Sequence, residues 1–359
     1  MKACFLKHKK LHIWLLADLC LLAAFWLTRG NRGLMNTLAA NVTVPLRRAI
    51  GRVCYLVDFS VMEVLCAALA AFVIGYLVWT VVRTVRSRGR ALYGCLLGAL
   101  CVGLTIYAGF CFLLGIDSYA DGFQEKSVIY AQPVAREDLL AVTEYFAEQL
   151  TASYDKVARD ENGLFAESRT AILSASTGVY DAVEREFPFL EFDDPGVKAV
   201  HFFRVLSLLD FTGIYCPFTG ESNLNVDSPA CMLPSTVAHE LAHQRGITSE
   251  QECNFLAILA STTCGSDVYA YSGWLKGYIH LGNALYKVDP EAHKAIRAAL
   301  PEPIRLDIAY NNAYWAQFEE TVTTKVSNTV YDGFLKSYGQ EQGLQSYGTV
   351  VDLLIAYYA

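Results

Sequence analysis

Residues 13–27, 61–82 and 91–114 form three long apolar runs, all in the first third of this 359-residue chain. A bilayer's hydrocarbon core is about 30 Å thick, so a helix needs about 20 apolar residues to cross it. The second and third runs reach that length, and the first does when its edges are drawn at about 11–28. Lipid offers the backbone no hydrogen bonds, which restricts such runs to helices. Asp18 within the first run and Glu63 at the edge of the second are the only acids in them. A cleaved signal peptide fits the first run poorly, because no small-residue cleavage site follows it and two further spans do. The expectation is a membrane anchor of three transmembrane helices over residues 1–115, followed by a second domain over 116–359. Hydrophobic residues make up 53 % of the chain, high for a soluble enzyme, and the excess lies in that anchor.

Charge divides along the same line. Residues 1–115 carry 13 Lys/Arg against 3 Asp/Glu, and residues 116–359 carry 16 against 33. An acidic large domain excludes nucleic acid as a partner, since phosphate backbones are bound by clustered cations. Lys2, Lys7, Lys9 and Lys10 precede the first span, and Arg83, Arg86, Arg88 and Arg90 crowd the link between the second and third. Placing both groups on the cytoplasmic side puts everything after residue 115 outside. Arg29, Arg32, Arg47, Arg48 and Arg52 in the 29–60 loop oppose this, so the bias is modest.

The large domain carries its chemistry in His239-Glu240-Leu241-Ala242-His243, followed by Gly246. On a helix, positions i and i+4 share a face, so both imidazoles reach one metal ion. Glu240 then stands where its carboxylate takes the proton from the water that a zinc ion acidifies. Pro234 and Ser235 supply a helix start, with Ser235 as N-cap, and Gly246 a stop. A catalytic zinc needs a third protein ligand and an open position. Ser249 stands where the long metalloprotease pattern has another histidine, which leaves Glu250 and Glu252. Ser249 reads as the N-cap of a second helix on which Glu250 and Asn254 share a face, while Glu252 lies with Phe255 and Leu256. The E-x-x-x-N spacing resembles the E-x-x-x-D of glutamate-liganded zincins. Glu250 is the favoured ligand and Asn254 the partner that steadies a zinc-bound histidine; Glu252 remains the alternative.

Beyond residue 116 the periodicity is mainly helical, with helices expected over 136–159, 167–186, 196–210, 269–287, 290–299 and 304–335. The exception is 212–226, whose β-branched and aromatic residues with Pro and Gly punctuation predict a small hairpin just before the metal helix. An edge strand beside a metal holds an extended substrate through main-chain hydrogen bonds. Tyr215, Phe218 and Asn223 are the substrate-binding candidates on it. Of eleven cysteines, Cys216, Cys231, Cys253 and Cys264 fall in the large domain, with irregular spacing that predicts no particular pairing.

Several phrases resemble a known family: G-I-Y-x-P-F-T-G-E-x-N at 213–223, L-P-x-T-x-x-H-E-L-A-H-Q-R-G at 233–246 and E-x-E-C-N-F at 250–255. Val326-Ser327-Asn328 and Gly343-Leu344-Gln345-Ser346-Tyr347-Gly348, followed by Val350-Val351-Asp352-Leu353-Leu354, fit as well. The chain is similar over nearly its whole length to bacterial membrane proteins catalogued as domain of unknown function 3810. The resemblance implies a membrane-anchored zinc metallopeptidase with an α-rich, zincin-like catalytic domain, and His239, Glu240, His243, Glu250 and Asn254 match its motif positions. Hydrolases of this kind also use a donor for the tetrahedral oxyanion. Tyr347 is the candidate for that catalytic role, with Tyr215 and His280 weaker ones.

The expected function is hydrolysis of peptides or proteins at the outer face of a membrane, with Zn2+ on His239, His243 and Glu250. Two other readings are a non-catalytic membrane sensor with a structural metal site, which has no use for Glu240, and a zinc hydrolase of cell-envelope amides. The oligomeric state is not legible in the sequence.

Overall fold

In lipid and in a protein core alike, helices satisfy their own backbone, and this apolar chain is mainly helical. A computed structural model describes residues 7–193, 195–318, 321–338 and 347–359, the side chains of Val322 and Tyr347 excepted. Helices α1 (Lys9–Thr28), α2 (Val44–Cys54), α3 (Val61–Arg86) and α4 (Leu92–Phe110) make up the first third. Among the described residues, three helices are long and apolar enough to cross a membrane: α1, α3 and the one that begins as α4. The last runs on through a π turn, Cys111–Gly115, to Ser118. Asp18 does not break α1, because the Thr105 hydroxyl of α4 lies 3.1 Å from both its carboxylate oxygens.

The large domain adds α5 (Arg136–Thr151), strands β1 (Lys198–Ala199), β2 (Gly213–Cys216) and β3 (Glu221–Leu224), and helices α6 (Leu233–Gln244), α7 (Glu250–Thr263), α8 (Asp267–Val288), α9 (Val322–Ser337) and α10 (Tyr347–Tyr358). Its core gathers Val237, Leu241, Phe255, Leu256, Tyr271 and Leu275 from α6, α7 and α8, with Phe146 of α5 and Leu353 of α10. The hairpin is present: β2 and β3 pair antiparallel with Tyr215 opposite Ser222, and β1 joins β3 in parallel.

Three expected helices are interrupted, and a fourth, 136–159, ends at Thr151, with Arg159 pairing with Phe165 in an isolated bridge. The 196–210 segment divides into β1 and a short helix, Phe203–Leu208. Lys198 is drawn into the sheet because its ammonium is held by Glu221 at 2.6 Å and by the Cys54 and Phe59 carbonyls. Gly178, at φ +82°, breaks 167–186 into Arg169–Ser174 and Asp181–Glu186. The 304–335 segment becomes Glu302–Ala316 and α9.

The N-terminal apolar helices and the remainder of the chain are fastened by polar groups. Arg47 of α2 and Asp117, just past the π turn, form a fully buried ion pair of 2.5 Å. Glu221 of β3 accepts from the amides of Val61 and Met62, and so caps the N-terminus of α3 from the hairpin.

Candidate metal centre

Helix α6 is buried on nearly every side, which fixes its rotation and aims three polar side chains at one point. The Tyr180 hydroxyl donates to the Ala238 carbonyl, and the Ser222 hydroxyl to that of Glu240. The helix starts at Leu233, one turn earlier than a Ser235 cap requires; the Ser235 hydroxyl instead donates to the Met232 carbonyl. Gly246, at φ +85°, turns the chain back as expected, and Ser249 caps α7 by accepting from the Glu252 amide.

That reversal brings Glu250 to the two histidines. His239 Nε2 lies 3.2 Å from Glu250 Oε2, and His243 Nε2 lies 3.6 Å from Oε1. The other ring nitrogens are engaged: His239 Nδ1 with Asn254 Oδ1 at 3.0 Å, His243 Nδ1 with the Ile247 carbonyl at 2.8 Å. A carbonyl only accepts, so each Nδ1 carries the proton and each Nε2 presents a lone pair to the carboxylate. Burial keeps the His239 imidazole neutral, its pKa pushed down to about 4. Burial would raise the Glu250 carboxyl, and the hydrogen bond donated by the Tyr331 hydroxyl opposes that rise.

Lone pairs and a carboxylate aimed at one point repel unless a cation lies among them. Ligands held tetrahedrally at about 2.0–2.2 Å from zinc stand about 3.3–3.6 Å apart, close to the separations found here. Beside them Glu240 is buried, and its Oε2 has no hydrogen-bond partner among the described residues. Burial and the Glu250 charge lift its carboxyl well above the usual range, opposed by Lys276. The donor set, its orientation and the bare carboxylate oxygen fit a zinc ion with a neighbouring base.

Residues 41–355 match the family model described as Protein of unknown function (DUF3810). The chain belongs to the DUF3810 family. No curated protein and no solved structure matches it. The DUF3810 match begins after α1 and takes in α2, both later apolar helices and the whole His–His–Glu cluster.

The other candidate residues of this DUF3810 chain lie elsewhere. Glu252 points away from the histidines and accepts from the amides of Phe123 and Gln124, at 2.8 and 3.1 Å. Phe218 packs its ring on Gly109 of α4, so it holds the hairpin tip to the third apolar helix rather than facing the cluster. The Asn223 amide is enclosed, accepting from the Ser60 hydroxyl at 2.7 Å and donating to the Glu221 carbonyl. The Tyr215 ring is buried with the Arg47 guanidinium 5.6 Å from its centroid. Tyr347 has its side chain outside the described residues. Cys216, Cys231, Cys253 and Cys264 are free thiols.

Two participants carry no local motif. Tyr331 of α9 donates to Glu250 Oε1 at 2.5 Å from 81 residues away. Lys276 of α8 lies within electrostatic reach of Glu240 and Glu250, and burial pushes its ammonium down to about 8. His280, one turn on, is likewise depressed by burial, to about 3.

Proposed function

We propose that this DUF3810 protein is a multi-pass membrane zinc metallopeptidase whose catalytic domain faces outside. The observation that carries the reading is the convergence of His239 Nε2, His243 Nε2 and Glu250 next to the unpartnered Glu240 oxygen. A zinc ion held by the first three residues supplies Lewis acidity, which eases deprotonation of water and polarises a peptide carbonyl. Glu240 would take the water's proton and pass it to the leaving amine, one carboxylate serving both transfers. Asn254 and the Ile247 carbonyl hold the imidazoles in the tautomer that leaves Nε2 free to bind metal. Lys276 contributes positive charge near the oxyanion that develops.

The substrate strand follows from the hairpin. The Thr212 carbonyl accepts from the Asn225 amide and that of Cys216 from Gly220, so alternate residues of β2 turn towards β3. Gly213 and Tyr215 therefore direct their main-chain groups to the sheet edge, next to Glu240. An extended peptide added there lies along the base. An apolar cavity of about 680 Å³ shares Tyr331 with the cluster and is lined by Leu209, Phe211, Val326, Val330 and Phe334, a fit for an apolar substrate side chain. Phe334 also packs on Phe110 at the end of α4, centroids 5.4 Å apart, which supports a cavity beside the membrane surface. The basic ends of α1 and α3 meet at the opposite end of the anchor, where His12 reaches Tyr93, in keeping with a cytoplasmic location for that end.

The direct test is zinc analysis of the purified full chain together with cleavage of a peptide library. Near-stoichiometric zinc is expected, with cleavage abolished by chelation and restored by zinc; a metal-free chain, or cleavage indifferent to chelator, defeats the proposal. Gly213→Ala supplies a sharper probe of geometry. A Cβ at Gly213 would stand 2.5 Å from Glu240 Oε1 and 2.7 Å from its Cγ, so the carboxylate must move. Zinc content should stay unchanged while kcat/KM falls about a hundredfold, the size of loss that a displacement of about 1 Å brings.

A further inference from the structure

The end of the anchor remote from the metal centre holds a cavity of about 700 Å³ between α1, α3 and α4. Lys7, Arg83, Arg86, Arg88 and Arg90 stand at its mouth, and no carboxylate among the described residues lines it. None of these five cations is ion-paired among the described residues. Held around one space, they repel each other unless an anion sits among them. The interior changes character with depth. Leu11, Trp14, Trp79 and Val102 make the deeper wall, and from Gly94 to Val102 it follows α4 for about 12 Å, two helical turns.

Two glycines shape the space. A Cβ at Gly94 would meet the His8 ring at 2.4 Å, and one at Gly98 the Tyr76 hydroxyl at 2.7 Å. Their bare backbones let those aromatic groups close over α4, where Tyr76 donates to the Cys95 carbonyl at 2.7 Å. Arg83 lies 4.6 Å from the Trp79 centroid, its guanidinium braced at the rim.

A cationic mouth above an apolar shaft in a membrane helix bundle selects an amphiphile with an anionic head. We propose that this cavity binds one anionic phospholipid, its phosphate among Arg83, Arg86 and the 88–90 turn, and its acyl chain along Trp14, Trp79 and Val102. A free phosphate shares the head-group chemistry but has no use for the shaft. This inference is independent of the metal centre and of peptide cleavage.

The test uses the full chain in neutral detergent micelles containing equal phosphatidylglycerol and phosphatidylcholine, with bound lipid counted by native mass spectrometry. One phosphatidylglycerol per chain should be retained in preference to phosphatidylcholine. The Arg83→Gln/Arg86→Gln pair should weaken retention roughly thirtyfold, about fivefold for each lost charge. The charge-keeping pair Arg83→Lys/Arg86→Lys should hold the lipid, and Arg48→Gln/Arg52→Gln on α2 should change nothing. Equal retention of both lipids, full retention by the glutamine pair, or displacement by millimolar inorganic phosphate would overturn the proposal.

Discussion

Glu240→Gln is expected to keep its zinc and lose peptide cleavage by about three orders of magnitude. The two halves of that outcome have separate causes. The proposed metal donors are His239, His243 and Glu250, whose ligand atoms lie within 4.8 Å of each other; Glu240 is not among them. A glutamine amide fills the same space, and a neutral group is no harder to bury beside Gly213 than a carboxylate with one oxygen unpartnered. What disappears is the base, and positioned general bases contribute about 10²–10⁴-fold. Metal analysis and the peptide library read the two halves independently on one purified sample. Undiminished cleavage by the zinc-loaded variant removes Glu240 from the chemistry. Loss of zinc together with activity would make Glu240 part of the metal shell and return the site to a structural role.

What the sequence made legible follows from chain distance. The two imidazoles, the Glu240 carboxylate, the Gly246 reversal and the Ser249 cap all lie within eleven residues, where helix periodicity fixes geometry. Glu250 and Asn254 are read the same way, one turn apart on α7. The apolar helices are equally local, being questions of length and composition. Tyr331 and Lys276 reach the centre only through tertiary packing, and neither has a neighbour in sequence that announces it. The hairpin shows a third case. Its β-branched and aromatic residues foretold the strands, but strand propensity is silent on what each face meets. Asn223 and Glu221 turn to the N-terminus of α3, and Phe218 to α4. The segment expected to hold substrate is therefore also the clamp between the apolar helices and the rest of the chain, and on β2 Gly213 and Tyr215 direct main-chain groups to the sheet edge.

The pair Glu250→Ala and Glu252→Ala separates metal binding from folding on one helix. Glu250→Ala should weaken zinc binding by more than about a hundredfold, beyond the 10–100-fold that loss of an outer hydrogen-bond partner costs. It should leave the fold intact, because the Glu250 carboxylate is a fifth exposed and bonds the histidines and Tyr331, not the backbone. Glu252→Ala should do the reverse. Its buried carboxylate accepts from the amides of Phe123 and Gln124 and from the Gln124 side chain, and truncation strands those donors at about 1–3 kcal/mol each. A melting temperature lowered by several degrees, with zinc affinity unchanged, is the expected signature. Asn254→Ala belongs between them, since it frees the His239 ring without removing a donor, and should cost zinc affinity about 10–100-fold. A competitive-chelator titration and a thermal melt on the three variants decide the matter. Zinc lost in the Glu252 variant and kept in the Glu250 variant would transfer the third ligand to Glu252 and require α7 to turn by nearly half a revolution. The Ser249 cap and the buried run from Phe255 to Ala260 hold the helix against such a rotation.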